Sequence, residues 1–74
     1  MKRLTPMEWA LAKGPIAHLS ISSGDLARRA RMIAWLDARN STSWFYVTGA
    51  NFHFGSPLDA AEFRRWVTTE AFAA

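Results

Sequence analysis

Apolar and polar positions alternate most clearly in the middle of the chain. From Trp44 to Thr48, Phe45 and Val47 fall on one side of an extended backbone, and Trp44, Tyr46 and Thr48 on the other. Asn51 to Phe54 repeats the pattern, with Phe52 and Phe54 against Asn51 and His53. Gly49 lies between the two runs, so the segment reads as an aromatic β-hairpin. Ile16 to Ser22 also alternates, with Ala17, Leu19 and Ile21 on one face and Ile16, His18 and Ser20 on the other. Three strands are therefore expected.

Helical periodicity fills the remainder. Thr5, Pro6 and Glu8 form a helix start, with Thr5 as N-cap, and Gly14-Pro15 is the expected stop. Ser23-Gly24-Asp25 opens the longest helix, which runs to about Arg39 and closes at Asn40. Steps of roughly 100° place Leu26, Ala30, Ile33 and Leu36 on its buried stripe, and Arg28, Arg31, Met32, Trp35 and Arg39 on the opposite side. Ser56-Pro57-Leu58-Asp59 starts the last helix, with Ser56 as cap and Asp59 near the positive end of the dipole. Ala60, Phe63 and Val67 form its inner stripe, flanked by Trp66, and the tail after Thr69 is expected to fray. The reading is a single small α+β domain over residues 1–74, in the order α-β-α-β-β-α. Its mixed or antiparallel three-stranded sheet carries two helices on one face, the face of Leu19, Phe45, Val47, Phe52 and Phe54.

Composition sharpens this picture. A chain of 74 residues buries only about 60–65% of its unfolded surface and is marginally stable on size alone. With no cysteine, neither disulfides nor a cysteine-type zinc site can compensate. Four Trp, five Phe and one Tyr can do so, by enlarging a small core or by making a surface that calls for a partner or a homodimer. Absence of cysteine fits a reducing compartment. Met1-Lys2-Arg3 is not followed by a continuous apolar run, and no stretch approaches the ~20 apolar residues that span a bilayer. A soluble intracellular protein, away from membranes, is expected. The net charge of +3 is uneven: residues 1–39 carry seven Lys/Arg and three acids, residues 40–74 two Arg and three acids. That balance permits nucleic acid without demanding it.

Two groups of residues are candidates for binding. His18, Trp44, Tyr46 and His53 share the sheet face opposite the core. They suit an aromatic platform for unpaired bases, a protein interface, or a second small core completed by Trp9 and Met7 of the first helix. Arg28, Arg31, Trp35 and Arg39 line the expected outer face of the long helix, where an exposed Trp beside arginines makes a hot-spot pair, suits phosphate, or is simply solvated. On that reading Trp35→Ala leaves the fold intact and weakens a complex. No metal-ligand spacing, phosphate loop, cofactor motif or nucleophile elbow is present, and two histidines without fixed spacing do not make a catalytic centre. A non-enzymatic protein is expected.

The block Phe52-His53-Phe54-Gly55-Ser56-Pro57-Leu58-Asp59-Ala60-Ala61-Glu62-Phe63-Arg64-Arg65-Trp66 resembles the end of many small bacteriophage and prophage accessory proteins. There an aromatic strand runs into an Asp-Ala helix that carries Phe and a closing Trp. The resemblance implies phage origin. It also implies action by binding and blocking a host protein or ribonucleoprotein complex, the anti-CRISPR class among them, and no catalytic residue is carried over. A nucleic-acid-binding accessory protein and a homo-oligomeric virion part are the alternatives.

Overall fold

The computed structural model describes residues 1–12, 17–22 and 24–71, the side chains of 70 and 71 excepted. Its elements are β1 (Lys2–Arg3), α1 (Pro6–Leu11), β2 (Ala17–Ser20), α2 (Leu26–Ala38), β3 (Trp44–Thr48), β4 (Asn51–Phe54) and α3 (Pro57–Trp66), the last extended by a π-helical turn over Val67–Ala71. The α+β class stands. The sheet has four strands rather than three, in the order β1-β3-β4-β2. The extra strand is β1, which runs parallel to β3 with Lys2 opposite Trp44 and Arg3 opposite Phe45. Two charged residues have no alternation to reveal them; they become a strand because β3 offers an unpaired edge.

β3 and β4 form the expected hairpin, closed by Gly49 at φ 58° and Ala50. A glycine with positive φ at the first of two loop positions meets the requirement of a type II′ turn. β4 pairs antiparallel with β2 on its other side, and this sets His18 directly opposite His53. β2 and β3 thus run in the same direction with β4 between them, a split β-α-β unit around α2.

The core lies on one face of the sheet. Phe45, Val47, Phe52 and Phe54 meet Met32 and Leu36 of α2, Ala60 and Phe63 of α3, and Val67. α3 buries the residues its periodicity assigns. α2 does so only in part: Leu36 is fully buried and Ile33 half-buried as assigned, but Met32, assigned to the outer side, is fully buried, whereas Leu26 is 84% exposed and Ala30 is exposed. The buried stripe is turned by about one residue, roughly 100°, from the expected one. With Leu36 common to both stripes, burying Met32 and the body of Trp35 removes more apolar surface than burying Leu26 and Ala30.

Local signals are otherwise well met. The Thr5–Glu8 capping box is complete, with Glu8 N–H donating to Thr5 Oγ1 at 3.2 Å and Thr5 N–H to Glu8 Oε1 at 3.0 Å. Asp25 caps α2 through its carboxylate and the Arg28 N–H at 2.7 Å. Ser56 precedes α3 without a side-chain cap bond. Helical backbone continues through Ala71, past the point where fraying is expected. α1 ends at Leu11, with Ala12 already extended, short of the expected stop at Gly14-Pro15; Gly14-Pro15 itself, the Ile16 strand start, Ser23 and the last three residues lie outside the described residues.

Candidate functional site

The sheet face away from the core carries rings in continuous contact. His18 and His53, opposed across β2 and β4, stack with centroids 4.7 Å apart. Trp9 of α1 lies over their neighbours, parallel to Tyr46 at 4.8 Å, 4.5 Å from His53, and edge-on to Trp44 at 5.9 Å. Tyr46 and His53 are 6.1 Å apart. Of the expected sheet-face residues, all four come together here. Trp44, Tyr46 and His53 are half-buried and His18 is exposed.

Gly55 makes room for this cluster. A Cβ there would stand 2.5 Å from Trp44 Nε1 and 2.7 Å from Ser43 Oγ, and its N–H donates to the Trp44 carbonyl at 3.0 Å. His18 Nε2 lies 2.9 Å from Asn51 Oδ1 and donates to it. His53 Nδ1 is buried with no hydrogen-bond partner among the described residues. Burial lowers the His53 pKa below the ordinary imidazole value, and the nearby His18 lowers it further.

Trp9 fills the place on Tyr46 that a stacked base would take, and the aromatic face is to that extent a second small core. Met7 plays no part in it. Two residues along a helix is a turn of roughly 200°, so with Trp9 facing the sheet Met7 faces solvent, 76% exposed. Leu11, four residues on, shares that outer stripe and is 78% exposed. α1 contributes no buried residue. It is held by the Trp9 ring and by a 2.7 Å ion pair between Lys2 and Glu8, which lowers the Glu8 pKa.

The second expected group is not one surface. Arg31 is exposed, but Trp35 is half-buried between helices, 5.0 Å from Trp66 and 5.9 Å from Phe63. Arg39 lies over the Trp35 ring at 5.4 Å and joins α2 to α3, with Nε 2.8 Å from Asp59 Oδ1 and an amino group 2.7 Å from Glu62 Oε2. Asp59 is 5% exposed and also accepts from Ser41 Oγ at 2.8 Å. The hydrogen bond to Asp59 is the main cause of a raised Arg39 pKa. Arg28 is half-buried. The outer face expected for Arg28, Trp35 and Arg39 is thus the face turned toward the body of the protein, a consequence of the turned α2 stripe.

Sequence reasoning missed Asp59 as a buried ion-pair residue, reading it as a helix-start acid, and missed the Met7–Leu11 stripe. The i, i+4 spacing of Met7 and Leu11 was the signal available for the second. Among the described residues, no three His, Cys, Asp or Glu side chains group to hold a metal ion, and no helix is long and apolar enough to cross a membrane. The chain matches no protein-family model, no curated protein and no solved structure.

Proposed function

We infer that this chain is a non-enzymatic interaction protein that docks on a protein partner through α1 and the aromatic sheet face behind it, and acts by occluding the partner's surface. The observation that supports this reading is the outward Met7–Leu11 stripe on a helix that buries none of its own residues. Two large apolar side chains one turn apart suit an apolar groove, as in helix-in-groove recognition. The half-buried rings of Trp9, Trp44 and Tyr46 behind that helix belong to the residue types enriched at interface centres. Exposed Arg3 on β1 suits a partner whose groove has an acidic rim. A host complex as the partner, and a phage setting, extend this proposal from the resemblance of residues 52–66.

The test is affinity capture from bacterial lysate with the wild type and the double variant M7E/L11E, both checked for fold by circular dichroism. The expected result is one stoichiometric protein that survives nuclease and high salt and is lost with the variant, a loss of about 2 kcal/mol or more. Capture by both forms alike removes α1 from the interface. Self-association of the wild type alone, abolished in the variant, identifies a second copy as the partner.

A further inference from the structure

The helical layer on the other side of the sheet has different chemistry. Arg39 meets Asp59 and Glu62; four residues earlier in α2, Trp35 meets Phe63 and Trp66. Moving back along α2 is moving forward along α3, so the helices are antiparallel. One further turn brings Arg31 level with Thr68 and Thr69, with Arg28 and Arg29 beyond it. Arg64 and Arg65 end α3 at the same end of the layer. Five arginines therefore share one end with Asp25 and Glu70, while Asp37, Asp59 and Glu62 lie toward the other with Arg39. Among the described residues, neither Arg31 nor Arg65 forms a salt bridge, and both are exposed.

An open groove of about 560 Å³ runs along the outer side of α3. Its lining repeats every three or four residues: Leu58, Ala61 and Glu62, Arg65 and Trp66, Thr69. One side of the Trp66 ring stacks on Trp35 at 15°, and the ring is half-buried. Glu62 is the carboxylate in the groove, and Arg39 offsets its charge at 2.7 Å.

We propose that this seam binds single-stranded nucleic acid. An unpaired base packs against Trp66, and neighbouring phosphates meet Arg65 in the groove and Arg31 on the adjoining α2, in the positive field of Arg64 and Arg29. A flat ring beside exposed guanidinium groups offers stacking for a base and charge for the backbone that carries it. A duplex offers no free base face to such a groove.

The test is fluorescence anisotropy of a labelled oligo-dT against the wild-type chain over a range of salt, repeated with an abasic strand of equal length, with polyglutamate as competitor, and with R31Q/R65Q. The expected affinity falls linearly in log–log form with salt, and losing two phosphate contacts reduces the slope by about 1.4. The abasic strand binds at least about fivefold more weakly if one base stacks. Absence of binding at low salt overturns the proposal, as does binding unchanged in R31Q/R65Q. Equal affinity for the abasic strand, or equal competition by polyglutamate, assigns the surface to polyanions in general and overturns it too. The abasic comparison uses the unaltered protein, so the proposal stays falsifiable whatever the variant's stability.

Discussion

At the scale of single residues, Arg39 makes two carboxylate contacts that differ in surroundings. Asp59 is buried and fully engaged by Arg39 and Ser41, whereas the Glu62 side chain is 47% exposed. A buried carboxylate paired with a guanidinium is costly to remove because the charge left behind loses both water and partner. Arg39 keeps Glu62 and the Trp35 ring, which moderates that cost. Asp59→Ala is expected to lower unfolding free energy by about 2–3 kcal/mol, and Glu62→Gln by no more than about 1 kcal/mol. Urea denaturation of the two variants checks the ranking, and equal effects would show that burial does not separate the two contacts. For a chain whose whole stability is about 4–11 kcal/mol by length, the Asp59 contact is a large share. Trp35 belongs to the same assembly, so its replacement acts on the fold before it acts on any complex.

At the scale of elements, what could be read in advance depended on whether each segment encodes its own environment. β3, β4 and α3 did: alternation in the strands, and Ala60, Phe63 and Val67 on α3, name the core face without help from elsewhere. Thr5 and Glu8 likewise fix the start of α1. The phase of α2 was not legible, because two stripes compete and the winner depends on Trp66 and Phe63 presented by α3. β1 was hidden, since two charged residues become a strand only beside the β3 edge. For the candidate site, His18, Trp44, Tyr46 and His53 were placed together by alternation alone. Trp9 as their cover depended on where α1 folds back, and the Arg28–Trp35–Arg39 face failed with the α2 phase. α1 itself is held chiefly by one ring. Trp9→Ala is therefore expected to release the helix while leaving the sheet and its helices paired. In hydrogen exchange, the Trp9 and Ala12 amides, bonded at 2.8 and 3.1 Å to the Thr5 and Trp9 carbonyls, would lose protection while β3 and β4 keep theirs. Uniform loss across the chain would instead make the aromatic face part of the cooperative core.

At the scale of the whole molecule, the sheet separates two surfaces of unlike chemistry. One side presents Met7 and Leu11 over rings; the other presents the arginine-rich end of the helical layer and the groove beside Trp66. The particle measures only 37 × 22 × 19 Å, yet a ligand on one face of the sheet does not cover the other. A protein docked on α1 and a strand lying along α3 should therefore occupy the molecule together. Substitutions on the two faces have no shared partners, so their effects on each binding event should add to within about 0.5 kcal/mol. The expected outcome is a ternary species in size-exclusion chromatography with light scattering, once the captured partner and an oligonucleotide are supplied together. M7E/L11E should remove the partner and keep the strand; R31Q/R65Q should remove the strand and keep the partner. Mutual displacement would have one of two causes, separated by salt. Long-range repulsion between ligands fades beyond a screening length of about 8 Å at physiological salt. Displacement that weakens as salt rises would thus point to the ligands' charges acting across a thin molecule, and displacement insensitive to salt to direct overlap on a shared surface.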